Sequence, residues 1–318
     1  MQRDLRLDGI KFIMIFLVVM GHLTSEDWGG DVKRLIYSFH MPVFVFLSGY
    51  FTSRNTNREK QWSWIKSTLL IYVVAQLAHV VLAFGTANLL ALLKHKPMDL
   101  SMIKWNILVS PKLAMWYLLS LVYWRFCVWH LPKSISDTTL FCLSCFLALA
   151  CGVIPLDMAF SFQRTFAFMP FFVLGMIFRK KDLMPRLGSI PWLIAFVALL
   201  AGLLVASYLP SYWPAFHYKT LQDSLLRIAQ TSLGFFLCLL VIRILRVDFT
   251  ERFAKYGIFT LWIYIGHSYL IKIGDKLFPL MGITLNTFTA LLLTCAYCTL
   301  FICLAKLYHS RKEKKGKA

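Results

Sequence analysis

Apolar stretches of about twenty residues, the length a bilayer core demands of a helix, recur from one end of this chain to the other. Their approximate cores are 9–25, 35–51, 63–85, 113–131, 138–154, 165–178, 191–209, 225–244, 257–274 and 285–305. Short polar links separate them, and no run shows the strict alternation of a half-buried strand. The pattern predicts an all-α bundle of about ten transmembrane helices, the shorter ones tilted or using flanking residues. The segment 86–112 breaks the rhythm, and its NLLALLKHKP run predicts a piece lying on the membrane surface or re-entering it. A tight turn at Trp28-Gly29-Gly30-Asp31 is expected to join the first two spans.

Charge sets the orientation. With the N-terminus inside, 22 of the 34 Lys and Arg fall in inner segments and 11 in outer ones, Arg125 lying within a span. Cytoplasmic loops carry such an excess, so both termini are expected in the cytoplasm. The same clustering explains the net charge of +19, which in a soluble protein would point to nucleic acid. No nucleic-acid partner is expected; the lipid bilayer is. A composition 58% hydrophobic with only 15% charged residues excludes an ordinary soluble domain. Residues 11–20 resemble the apolar region of a signal peptide, but no small-residue cleavage site follows, so the segment is expected to be retained. No linker, repeat or low-complexity tract interrupts the chain. It is expected to be a single membrane domain, 1–318, ending in a basic tail from 306. Cys142/Cys145 and Cys295/Cys298 have the CxxC spacing of zinc sites, yet all eight cysteines sit in apolar spans, where cysteine acts as a small hydrophobe. Neither a metal nor a disulfide is expected.

Ionisable residues within membrane helices are expensive and are functional candidates by default. Lys11 and His22 lie on nearly one face of the first span, about 16 Å apart along the axis at 1.5 Å per residue. Lys11 also suits a snorkelling topology anchor, and His22 a helix-packing hydrogen bond. Glu26, a turn beyond His22, is placed to accept from its imidazole. His40 lies towards the outer end of the second span, at a depth similar to that of His22. Pro42 and the Ser48-Gly49 pair predict a bent, closely packed helix, Ser48 being a packing residue or a nucleophile. Arg54, Arg58, Lys60 and Lys66 crowd the next inner loop and suit an anionic ligand arriving from the cytoplasm. Arg125 and His267 sit well inside the fourth and ninth spans, and Arg164 precedes FMPFFVLG; each needs a polar partner or water.

LDGIK followed, ten residues on, by His22 resembles the signature of the acyltransferase-3 membrane family. IYSFHMPVFVFLSGY resembles its next motif, most closely in the branch related to fucose 4-O-acetylase. MWYLLSL, FMPFFVLG and KYGIFTLWIYIGH are similar to later stretches of that branch, so the resemblance covers nearly the whole chain. It implies transfer of an acyl group, usually acetyl, from cytoplasmic acyl-CoA to a hydroxyl of a surface glycan or lipid-linked oligosaccharide, at the plasma (inner) membrane of a bacterium. Acetyl-CoA is then a donor substrate, with no permanently bound cofactor. The family's key pair corresponds to Lys11 and His22, with Glu26 and His40 as further catalytic candidates. Arg54, Arg58, Lys66, Arg125, Ser48, Arg164 and His267 are the candidates for substrate or acyl-CoA binding. The chain departs from the family in carrying Lys11 where many members have Arg, and WIKSTLLIYV where many have an arginine-rich stretch. Two other classes fit parts of the pattern: a glycan transporter or flippase, and a non-catalytic factor in polysaccharide assembly. Against a transporter stand the absence of repeated halves and the concentration of polar groups in the first two spans.

Overall fold

The computed structural model describes residues 4–24, 26–53, 57–93, 109–111, 113–132, 134–153, 159–209, 220–282 and 284–315. Among these every regular element is helical. In chain order they are α1 (Leu5–Leu23), α2 (Glu26–Tyr50), α3 (Arg58–Leu93), α4 (Trp116–His130), α5 (Asp137–Ala150) and α6 (Phe162–Lys180). There follow α7 (Met184–Gly188), α8 (Trp192–Tyr208), α9 (Leu221–Leu245), α10 (Asp248–Glu251), α11 (Thr260–Leu280) and α12 (Thr287–Lys315). Single 3-10 turns precede α4, α6 and α11. Several starts are written locally. The Ser136 side chain accepts from the Thr139 amide, and Thr220 and Asp223 form a reciprocal capping box.

Among the described residues three helical stretches are long and apolar enough to cross a membrane: Arg58–Leu82, Leu221–Leu245 and Thr287–Tyr308. Asp137–Ala150 and Trp192–Tyr208 are shorter apolar helices. Others fall short because they carry polar cargo, as α1 does with Arg6, Asp8 and Lys11.

Two local expectations are corrected. Trp28–Asp31 forms no turn: α1 stops at Leu23 with Thr24 extended, and α2 is already running at Glu26. The break at 86 is also absent, since α3 continues unbroken to Leu93. The rest of the expected surface segment lies outside the described residues, apart from 109–111.

The chain divides into two compact units, one comprising Met1–Phe51 and Phe171–Ala318, the other Thr52–Pro170. In the first, α1 packs against α2, α11 and α12, and α2 against α8 and α9. Its core brings together Leu7, Ile10 and Met14 of α1, Phe46 and Leu47 of α2, and Val241 and Ile242 of α9. In lipid such contacts gain little hydrophobic free energy, so close packing must supply the specificity. Two glycines make that packing possible. A Cβ on Gly49 would lie 1.9 Å from the carbonyl oxygen of Phe172, and one on Gly175 2.0 Å from that of Phe46. Here α2 and the part of α6 from Phe171 onward touch backbone to backbone.

At the start of α1, the Asp4 carboxylate accepts from the Arg6 amide at 3.1 Å and from Arg246 Nε at 2.8 Å. Burial raises the Asp4 pKa, but the hydrogen bonds from Arg6 and Arg246 outweigh it and hold the carboxyl below its ordinary value. The same ion pair pushes the Arg6 guanidinium up.

In the second unit α3 packs on α4. Trp62 meets Phe126 and Trp129 edge-on, with ring centroids 6.1 and 5.6 Å apart.

Candidate active site

The first unit gathers four aromatic or imidazole rings where α1, α2 and α11 approach. His22 stands in the last turn of α1 and is exposed. Its Nδ1 lies 3.2 Å from the Tyr37 hydroxyl of α2. Tyr37 in turn lies against His40, their centroids 4.8 Å apart. On the other side the His22 ring stacks on His267 of α11, at 5.4 Å and an interplanar angle of 28°. The two histidines expected at similar depth are thus linked through a tyrosine the sequence did not single out. Its signal was the i, i+3 spacing to His40, which places both on one helix face.

The three imidazoles differ in what they can do. His40 and His267 are buried, at 3% and 0% exposure. Each directs Nδ1 at a carbonyl one turn back on its own helix, Ile36 at 2.7 Å and Ile263 at 3.0 Å. A carbonyl oxygen only accepts, so Nδ1 carries the proton in both rings. In neutral His267 the remaining Nε2 lone pair then accepts from the Ser268 hydroxyl at 3.2 Å. His22 differs in being exposed, with its Nδ1 facing a side-chain hydroxyl. It is the exposed imidazole of the cluster.

Lys11 lies two turns into α1. Its ammonium lies 3.1 Å from Asp8 Oδ1, and 3.6 Å from the centroid of the Phe51 ring. The Asp8 side chain is 3% exposed and that of Lys11 25%. Lys11 is therefore a matched charge on an aromatic face. Sequence reasoning missed Asp8 and Phe51, although the i, i+3 spacing from Asp8 to Lys11 was visible. It read Lys11 as a lone cation because a carboxylate in an apolar span was not sought as its partner.

The remaining candidates divide between the units. Ser48, in the first, donates to the Phe44 carbonyl at 2.9 Å. Glu26 does not continue α1 beyond His22, since it opens α2; its side chain lies outside the described residues, as does Arg54. In the second unit Arg58, Lys60 and Lys66 are exposed on α3. Arg125 lays its guanidinium over the Trp64 ring at 3.8 Å, and Arg164 lies 5.5 Å from the Trp116 centroid. The intramembrane partner of Arg125 is thus an aromatic face. Among the described residues no three His, Cys, Asp or Glu side chains gather as a metal would need.

Comparison with known proteins adds an independent line. A family model described as an acyltransferase domain, acyltransferase-3, matches residues 4–307. Nodulation protein NolL of Sinorhizobium fredii (strain NBRC 101917 / NGR234) is 42% identical over 59 residues, covering 16% of this chain and 16% of its own. Nodulation protein NolL of Mesorhizobium japonicum (strain LMG 29417 / CECT 9101 / MAFF 303099) matches to the same extent. No solved structure matches.

Proposed function

Because the chain belongs to the acyltransferase-3 family, we propose that it is an integral-membrane O-acyltransferase, most simply an O-acetyltransferase. It moves the acetyl group of cytoplasmic acetyl-CoA to a hydroxyl of a surface polysaccharide or lipid-linked glycan. About ten spans, with both termini in the cytoplasm of a bacterial plasma membrane, would bring the donor to one side of the site and let the acceptor reach it from the other.

The observation that carries this reading is the exposed His22 with Tyr37 on its Nδ1. With Nδ1–H donating to the Tyr37 oxygen, Nε2 holds the lone pair a general base needs. Nε2 takes the proton of the acceptor hydroxyl as its oxygen attacks the thioester carbonyl. The tetrahedral intermediate collapses with cleavage of the C–S bond, and the imidazolium returns the proton to the departing CoA thiolate. Stacking on His267 fixes the plane of the ring, much as the third member of a triad orients its histidine. His40, its Nδ1–H committed to the Ile36 carbonyl, would position Tyr37 through their ring contact, and the candidate donor to the developing oxyanion is a backbone N–H. Lys11, held by Asp8, is the candidate contact to the donor, with Arg54, Arg58, Lys66, Arg125, Arg164 and Ser48 as further substrate contacts.

Purified protein incubated with acetyl-CoA and isolated glycan tests this directly, with the glycan weighed by mass spectrometry. Wild type should add one acetyl mass. His22→Ala should insert and fold yet lose about 10²–10⁴-fold in rate, the usual worth of a general base. Near-normal transfer by well-folded His22→Ala would overturn the assignment.

A further inference from the structure

The uncharged polar groups inside the unit formed by Thr52–Pro170 have no part in the chemistry proposed at His22. The unit's longest helix, α3, is inside out by soluble standards. Leu70, Val74, Leu77 and Val81 are 64%, 56%, 49% and 69% exposed, whereas Thr68, Tyr72, Gln76 and His79 are buried. The exposed face suits lipid, and the polar face turns inward, where intramembrane polar side chains ordinarily serve a substrate path. Gln76 Nε2 donates to the carbonyl of Ser110 at 3.2 Å. Next along the chain, the amide of Phe160 donates to the carbonyl of Val109 at 2.6 Å.

That second contact leads to strained backbone. Phe160 and Ser161 adopt φ of 56° and 57° in succession, a left-handed pair without a glycine. Such residues persist where surroundings hold them, and they cluster at ligand sites. Here the holding is visible. Thr165 Oγ1 donates to the Ser161 carbonyl at 2.8 Å and lies 2.7 Å from the Ser120 hydroxyl, while Trp124 Nε1 donates to the Thr165 carbonyl at 2.8 Å. Within this saturated network the Ser161 hydroxyl is buried and has no hydrogen-bond partner among the described residues. A native fold rarely leaves a buried hydroxyl unmatched without a use for it.

We infer that the strained Ser161 turn, together with the polar face of α3 around Gln76, forms a binding site for an uncharged polyhydroxylated ligand. Such a ligand both donates and accepts, which the neutral Ser, Thr, Gln and Tyr groups of this interior match and a carboxylate or phosphate would not. The inference deepens the reading of the chain as a glycan acyltransferase, on which the identity of the ligand as acceptor rests. The site itself is testable without any acyl transfer.

The experiment titrates purified full-length protein in nanodiscs with methyl glycosides of neutral hexoses and with a methyl glucuronide, reading tryptophan fluorescence. Wild type should bind at least one neutral glycoside, and prefer it to the uronate. Ser161→Ala should weaken that binding at least tenfold while leaving Tm unchanged or raised, because it removes an unmatched hydroxyl. Gln76→Leu should weaken it similarly, and Gln76→Asn by less. Wild type that binds none of the probes overturns the site, as does Ser161→Ala that binds like wild type. A fall in Tm for Ser161→Ala with unchanged affinity makes the turn structural only. Glycoside binding that depends on Ser161, in a protein that transfers no acetyl group, keeps the site and removes the acyltransferase reading.

Discussion

Lys11 and Asp8 make a coupled pair whose two possible roles separate under substitution. At 3.1 Å, with the Asp8 side chain 3% exposed and Lys11 25%, the gross attraction at an effective dielectric near 20 is about 5 kcal/mol. Much of that is offset by desolvation, but removing one partner costs more than the pair contributes. Lys11→Gln takes the ammonium away from a buried carboxylate and should cost about 3 kcal/mol, the low end for a broken buried pair. At roughly 2 °C per kcal/mol, Tm would fall by about 6 °C. Asp8→Asn strands an ammonium that still has the Phe51 face and a route to the helix end, so about 1–2 kcal/mol is expected. The double variant should be little worse than Lys11→Gln alone, giving a coupling of about 1–2 kcal/mol. Thermal melts of the four proteins in one detergent measure it; additivity within about 0.5 kcal/mol would refute the pairing. The donor arm is independent. If Lys11 also touches acetyl-CoA, Lys11→Gln should raise its KM about 10- to 100-fold, a charge-assisted hydrogen bond being worth about 1.5–3 kcal/mol. Lys11→Arg should retain much of the activity, limited by fit. Asp8→Asn, which leaves the ammonium without its carboxylate, should leave KM unchanged or lower. Equal activity of Lys11→Gln and wild type at limiting acetyl-CoA would return Lys11 to a topological role.

Tyr37→Phe removes the hydroxyl beside His22 Nδ1 and should lower kcat about tenfold, with little change in Tm, in the same transfer assay. Gly175→Leu places side-chain atoms where Phe46 has its carbonyl, so α2 and α6 must separate; a loss of more than about 3 kcal/mol, or failure to accumulate, is expected on detergent melts. Asp4, whose folded pKa lies below its usual 3.8, stabilises the fold fully above that value. The contribution is lost as pH falls through the lower folded pKa, so Asp4→Asn should flatten the acid limb of a Tm-against-pH curve below about pH 4. For topology, Asp31→Cys should react with an impermeant maleimide in intact cells and Lys60→Cys should not, in a background lacking the eight native cysteines; the opposite pattern would sink the proposed orientation.

Much of the helical order was legible because apolar runs of bilayer length leave few alternatives. The tenth span, 285–305, falls within α12 from Thr287 on, and the eighth, 225–244, wholly within α9. What failed were junctions. Gly29-Gly30 reads as a turn by propensity, but helix starts are set by caps and charges that a window of hydrophobicity does not register. The α3 continuation through 86–93 was hidden because Gly85, Thr86 and Asn88 are weak helix formers by propensity, while the backbone stays helical to Leu93. At the site, His22, Lys11 and His267 were visible as costly residues in apolar spans. Their partners were not, because Tyr37 and Phe51 are ordinary residues for a membrane helix, and only packing makes them neighbours of an imidazole and an ammonium.

Three imidazoles within one cluster might have shared the proton work, but their tethers argue for a division. Nδ1 of His40 and of His267 is committed to a main-chain carbonyl of its own helix. Moving that proton would break a buried hydrogen bond, at a cost of about 1 kcal/mol before any chemistry begins. Protonating their Nε2 instead would place a cation where exposure is 3% and 0%, which the surroundings oppose more strongly still. His22 is the exposed ring, and its Nδ1–H can keep donating to the Tyr37 oxygen whether Nε2 holds a lone pair or a proton. The buried pair therefore suits orientation and electrostatics, and the turnover of protons falls to the single imidazole at the end of α1.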